Sequence, residues 1–236
     1  MSTIAANMQA VEATIAAAAE AAGRPRSSVK LLAVSKTFPM EDVLEAIAAG
    51  QRAFGENYLQ EGVEKIAAVA RAQPAPPGDA VEWHFIGPIQ SNKTRPIALH
   101  FSWVHTVERL KIAQRLSEQR PSELGPLNIC LQVNISGEAT KSGATPAELP
   151  ALARQVAALP NLRLRGLMAI PEAQADPQLQ RAAFARLRVL ADKLRADGLA
   201  IDTLSMGMSG DMAAAILEGA TIVRVGSAIF GSRNYD

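Results

Sequence analysis

The sequence holds one cysteine, Cys130, so no disulfide can close within the chain and a cluster of thiolate metal ligands is excluded. Cys130 sits inside the apolar run LNICLQVN and is expected to pack in a core. Long apolar runs are missing too: none approaches the roughly 20 residues that a membrane-spanning helix needs. The first residues, MSTIAANMQA, have neither the basic start nor the continuous apolar stretch of a signal peptide. Charge of one sign is not in excess, with 24 Lys and Arg against 23 Asp and Glu. That balance argues against nucleic acid or an anionic membrane as the main partner. The 3 histidines never form a close pair. His84 and His105 with Glu56 make only a diffuse zinc set, and polar core or pocket-lining positions are the expectation. A soluble cytoplasmic protein is expected.

Two periods alternate along the chain. Strand-like runs occur at Lys30–Ser35, Arg52–Gly55, Glu82–Gly87, Phe101–His105, Leu127–Asn134, Arg163–Ala169, Ile201–Met206 and Thr221–Val225. Helical patterns lie between them. Met40, Val43, Leu44 and Ile47 share one face after Pro39, with Glu41 and Asp42 in the first turn and Gly50 as the stop. TPAE at Thr145–Glu148 is a capping box ahead of the stripe Leu149, Leu152, Ala153 and Val156. A later stripe runs Leu179, Ala183, Leu187, Leu190, Leu194, with Arg181, Arg186, Arg188, Lys193 and Arg195 as a solvated face. An Ala-rich helix bearing Ile4, Met8, Val11 and Ile15 precedes them all, to dock on the barrel or on a partner. About eight parallel β/α units in 236 residues predict a single (β/α)8 barrel of the TIM type with an extra N-terminal helix. No G-x-G-x-x-G follows the first strand, which counts against a dinucleotide-binding sheet. The Pro-rich stretch Gln73–Ala80 is too short to separate domains, so residues 1–236 are expected to form one domain.

Chemistry in such a barrel sits where the strands end. VKLLAVSKTFP places Lys36 at that end of the first strand, on the face of Leu32 and Val34. There a lysine is either a rim residue reaching for water or a desolvated amine able to attack a carbonyl. The stretch Leu204–Arg233 adds a Gly-Met-Ser turn, a short helix with Ser209 as expected N-cap and Asp211 in its first turn, and Gly219 as its stop. The last strand ends in RVGSAIFG, where Gly226 and Ser227 offer backbone N–H groups for a phosphate or simply make a turn. Arg224 alternates with Ile222 onto the inward face. GEATKSG at Gly137–Gly143 is a rim loop, with Lys141 available for a ligand or partner, or a solvated turn.

Read together, LLAVSKTFP, FGENYLQE, WHFIGPIQSNK, HTVER, LQVNISGEATKSG, LRGLMAI and LSMGMSGDM…VRVGSAIFG resemble, in order and over nearly the whole chain, the YggS/PROSC family of pyridoxal phosphate homeostasis proteins. The resemblance implies a barrel similar to the N-terminal domain of alanine racemase, holding pyridoxal 5′-phosphate (PLP) as a Schiff base on Lys36. It further implies that Ser209, Gly226 and Ser227 bind the phosphate, that Arg224 faces the pyridine nitrogen, and that Asn57 and Met168 line the pocket. Ser227 stands where threonine is common and Gly210 where a polar residue is common; the first change keeps the hydroxyl.

The resemblance also implies a PLP carrier that can pass its cofactor to apoenzymes or sequester it. Arg224 only donates hydrogen bonds, so it leaves the pyridine nitrogen unprotonated and the electron sink weak. The alternative, a PLP-dependent amino-acid racemase or lyase, needs a second acid or base opposite Lys36. In alanine racemase that group is a tyrosine of a partner subunit's second domain. With the sequence ending at Asp236, right after the last barrel motif, that domain is expected to be missing here and a monomer is the expectation. Tyr58 and Tyr235 are the 2 tyrosines; Tyr58, after the second strand, is expected to pack or to hydrogen-bond the cofactor through its phenol, with overhang of the pocket as the alternative. A third reading, a PLP-free aldolase using Lys36 on a sugar phosphate, has no carboxylate–tyrosine relay to support it.

Overall fold

The computed structural model describes residues 3–72, 80–138 and 141–232. Most of the Pro-rich stretch, Ala139 and Thr140 of the rim loop, and Tyr235 therefore lie outside the described residues. The chain opens with α1 (Thr3–Ala21), β1 (Lys30–Val34), α2 (Met40–Ala48), β2 (Ala53–Glu56) and α3 (Leu59–Ala72). It continues through β3 (Glu82–Phe85), α4 (Thr94–His100), β4 (Trp103–Val107), α5 (Leu110–Gln119), β5 (Leu127–Gln132) and α6 (Leu149–Ala157). It closes with β6 (Leu162–Met168), α7 (Pro177–Ala196), β7 (Thr203–Ser205), α8 (Met212–Leu217), β8 (Ile222–Val225) and the short α9 (Ser227–Phe230). The 8 strands pair in sequence order and β8 returns to β1, closing a parallel barrel. This is a (β/α)8 barrel, as expected.

Strand alternation divides the apolar residues into two cores. Leu32, Ala53, Trp103, Cys130, Met168 and Ile222 fill the inside of the barrel. Their strand neighbours Leu31, Ala33, Phe54, Val104, Ile129, Leu167 and Val223 join the larger layer between strands and helices. Leu32 pairs in register with Arg224, and paired residues of neighbouring strands face the same side, so Arg224 also points inward. Helix α1 buries Ile4, Met8, Val11 and Ile15, packing on α2, α8 and α9 across the seam where β8 meets β1. Of its two expected roles, it takes the one of docking on the barrel.

Some details depart from the sequence pattern. Helix α7 turns the expected stripe inward from Ala183 onward, with Leu187 and Leu194 buried and Ala183 and Leu190 packed on the core; Leu179 is exposed instead, and Phe184 and Ala191 join the buried face. Arg181 and Arg188 meet the two oxygens of buried Glu218, at 2.8 and 3.1 Å, so they clamp α7 to the end of α8 rather than lying free in solvent. The capping box forms, Thr145 and Glu148 exchanging backbone and side-chain hydrogen bonds, although regular helix begins only at Leu149. Helix α8 starts at Met212, which leaves Asp211 as its N-cap and Ser209 in the preceding turn.

Candidate functional site

Lys36 follows β1 directly, and its neighbours are pinned on both sides. Ser35 N–H donates to the Gly55 carbonyl at 3.1 Å, and the Ser35 hydroxyl donates to Glu56 Oε1 at 2.6 Å. The Ser35 carbonyl accepts from buried Lys65 Nζ at 2.6 Å, and Lys65 also contacts Glu56 and Glu61 at 3.0 and 2.6 Å. On the other side Thr37 has a left-handed backbone, φ 68°, with its N–H donating to Glu61 Oε1 at 2.6 Å. A β-branched residue in that region carries strain of about 1–3 kcal/mol and persists only when its surroundings fix it. Burial raises the pKa of the Glu56 carboxyl, and the Lys65 charge opposes that shift without cancelling it. The strand therefore ends in a lysine whose main chain cannot drift.

Lys36, Asn57, Met168, Ser209, Arg224, Gly226 and Ser227 all line one cavity of about 280 Å³ at the mouth of the barrel. Val34, Ile86, Ile170, Met208 and Gly210 complete its wall. Two glycines shape it. A Cβ on Gly87 would fall 2.1 Å from the Asn57 carbonyl oxygen, so only glycine lets the turn after β3 pass so close to Asn57. Gly207, at φ 95°, swings the chain from β7 towards Met208 and Ser209, and its carbonyl accepts from Arg224 N–H at 2.9 Å. Ser209 and Ser227 are exposed at the rim, while Arg224 is buried at the floor.

Arg224 is anchored by neutral acceptors. Nη1 donates to the carbonyl and to the hydroxyl of Ser205, both at 2.8 Å, and Nη2 donates to the Ala169 carbonyl at 3.1 Å. Burial pulls its pKa down to about 10, so it stays charged at neutral pH. Beneath it lie the two interior histidines, fully buried and outside the cavity wall. Among the described residues no group of His, Cys, Asp and Glu is placed to hold a metal ion. Tyr58 is exposed and does not overhang the cavity. Lys141 lies on a separate cleft of about 540 Å³ with Glu108 and Arg109, where it pairs with Glu138 at 2.8 Å. Thr37 stands within LLAVSKTFP and Glu61 within FGENYLQE, but neither motif gave their supporting role, and Lys65 lies in no motif.

The sequence model of the family described as "Alanine racemase, N-terminal domain" matches residues 6–234. Over 235 residues the chain is 64% identical to the pyridoxal phosphate homeostasis protein of Pseudomonas aeruginosa, with 100% of this chain and 98% of that one covered. The chain belongs to the family of pyridoxal phosphate homeostasis proteins. The Escherichia coli K12 member is 52% identical over 235 residues, covering 100% and 99% of the two chains. Among solved structures, PipY of Synechococcus elongatus with PLP bound matches at a TM-score of 0.82 and 36% identity, over 97% of this chain and 100% of that one. Alanine racemase of Corynebacterium glutamicum, at 18% identity and a TM-score of 0.68 over 98% of this chain and 61% of that one, shares the fold alone. Members of the pyridoxal phosphate homeostasis family are thus full-length counterparts of this chain, whereas the racemase extends well beyond it.

Proposed function

We propose that this protein binds PLP reversibly through Lys36 and takes part in PLP homeostasis without efficient turnover of amino acids. The observation that carries this reading is the convergence of Lys36, Arg224, Ser209, Gly226 and Ser227 on one cavity. The donors suit the group. An amine lies at the end of β1, a buried guanidinium at the floor, and hydroxyls with backbone N–H groups at the rim. Asn57 lines the cavity, and its buried Oδ1 has no hydrogen-bond partner among the described residues. When bound, PLP supplies an aldehyde that condenses with a primary amine, losing one water, and is released when that water adds back.

In this reading Lys36 provides the amine, and Ser209, Gly226 and Ser227 hold the phosphate. Met168 presents an apolar surface to the ring. Arg224 can only donate, so a ring nitrogen facing it remains an acceptor and the cofactor a weak electron sink. Among the described residues, the only titratable side chains in the cavity wall are Lys36 and Arg224. Racemisation needs a second acid or base across the substrate carbon, and the described residues of the wall offer none. Recipient apoenzymes, a monomeric state and a cytoplasmic setting belong to the same proposal. It is compatible with the finding that no described helix is long and apolar enough to cross a membrane.

Purified protein mixed with PLP is expected to turn yellow, with borohydride reduction fixing the pyridoxyl group on the peptide containing Lys36. The Lys36→Ala variant is expected to lose both signals. Label on a different lysine, or colour that survives in Lys36→Ala, would overturn the assignment. Adding L-alanine is expected to change the spectrum while optical purity is retained; racemised alanine would favour the enzyme reading.

A further inference from the structure

An unbroken line of hydrogen bonds runs through the barrel beneath Arg224. Arg224 Nη1 reaches Ser205 Oγ at 2.8 Å, and Ser205 Oγ lies 2.8 Å from His105 Nδ1. His105 Nε2 is 2.8 Å from His84 Nδ1, and His84 Nε2 is 2.8 Å from Glu82 Oε1. Glu82 also takes Lys30 Nζ at 2.6 Å, at the opposite end of the barrel from the cavity. Ser205 and both histidines are fully buried, and the His84 ring stacks on Trp103 at 5.3 Å.

The two ends dictate the direction of the line. A guanidinium can only donate and an ionised carboxylate can only accept. Burial raises the Glu82 pKa in part, but hydrogen bonds from His84 and Lys30 outweigh it and hold the carboxyl below the ordinary carboxylate range, so it is ionised. Burial also lowers the pKa of both rings, against Glu82 in the case of His84 and together with the charges of Arg224 and Lys30 in the case of His105, so they are neutral at pH 7. With one proton each, a single arrangement satisfies every contact. Arg224 donates to Ser205, the Ser205 hydroxyl to His105 Nδ1, His105 Nε2–H to His84 Nδ1, and His84 Nε2–H to Glu82. One proton added at Glu82, which would then donate to His84 Nε2, would move the proton of both rings to Nδ1 and turn the Ser205 hydroxyl hydrogen away from His105.

We propose that Ser205, His105 and His84 are positioning residues for the cofactor site. They hold Arg224 as an oriented donor and tie its hydrogen bonding to the charge of Glu82 at the far mouth of the barrel. The inference rests on PLP occupying the cavity, because it assigns Arg224 to the ring nitrogen. None of the three lines the cavity, so all act through Arg224.

Two measurements test this. Ring nitrogen NMR of the unloaded protein is expected to show His84 and His105 neutral at pH 7, both protonated at Nε2. A charged ring, or a proton on either Nδ1, would overturn the chain's direction. In the loaded protein, Ser205→Ala removes the hydroxyl while keeping the carbonyl that Arg224 also uses. It is expected to shift the absorbance maximum of bound PLP and speed its release to a scavenger by about three- to tenfold, the worth of one net hydrogen bond. Glu82→Gln, a change at the half-exposed floor that keeps an acceptor, is expected to move both readouts the same way by less. Lower melting temperatures with unchanged absorbance and release in both variants would reduce the line to core packing and sink the proposal. Failure of the wild type to take up PLP would instead refute the cofactor reading, with the ring protonation pattern still deciding the chain's direction.

Discussion

Thr37 and Glu61 show how a single backbone position is made to serve Lys36. The left-handed Thr37 is tolerated because Glu61 holds its N–H, and Glu61 is itself held by Lys65. Glu61→Ala is expected to cost about 0.5–1.5 kcal/mol of stability, the net worth of a hydrogen bond, and to weaken PLP loading. The cost stays small because exposed Thr37 can turn to water and Lys65 keeps Glu56 and the Ser35 carbonyl. Urea unfolding and a PLP titration check the two effects, and unchanged loading would detach this anchor from the site. The cavity residues themselves were legible in the sequence, because strand alternation fixes the face of Lys36 and of Arg224, and quoted motifs carry the rest. The Thr37–Glu61 contact was not, since it joins residues 24 apart on different elements and leaves no periodic trace. The histidine line was hidden for the same reason: His105 and Ser205 are 100 residues apart.

Among the elements, α1 has the most distant influence on the site. Its Asn7 side chain donates to the Ile229 carbonyl in α9, at 2.9 Å, and α9 is the turn that begins with Ser227. Ile15 is fully buried on the face that α1 turns to the barrel. Ile15→Ala is expected to cost about 2–5 kcal/mol, as deletion of a buried isoleucine generally does. Hydrogen exchange in α9 is expected to rise with it; unchanged α9 protection would show that the helix does not support that rim. Helix stripes with a clean period, such as Leu149, Leu152, Ala153 and Val156 in α6, could be read directly from the sequence. In α7 the stripe was legible from Ala183 to Leu194, whereas the pairing of Arg181 and Arg188 with Glu218, 37 and 30 residues away, left no trace in the pattern. Strand β4 begins at Trp103, two residues later than its apolar run suggests. Phe101 instead closes α4, its N–H donating to the Ile97 carbonyl at 3.1 Å and its ring packing on Phe85.

For the molecule as a whole, the buried histidines set an acid limit. In the fold both rings have pKa values below the ordinary 6.5, so under about pH 6.5 the unfolded chain binds protons that the folded chain does not. Stability is therefore complete above that pH and falls as pH drops below it, by up to ~1.4 kcal/mol per unit for each ring. Urea midpoints between pH 5 and 8 check this, and a His84→Gln, His105→Gln double variant is expected to flatten the dependence. PLP binding acts in the other direction. At about 100 times its dissociation constant it should add ~2.7 kcal/mol, seen as a higher melting temperature that Lys36→Ala does not share. The single thiol has a practical consequence of its own. Cys130 is closed inside the barrel, and burial pushes its pKa up to about 12, so maleimide dyes at neutral pH should leave the native protein unlabelled. A Tyr58→Cys substitution would then create the one reactive handle, on an exposed side chain next to Asn57. A fluorophore there would report arrival and departure of the cofactor in real time, turning the handover to a recipient enzyme into a directly timed event.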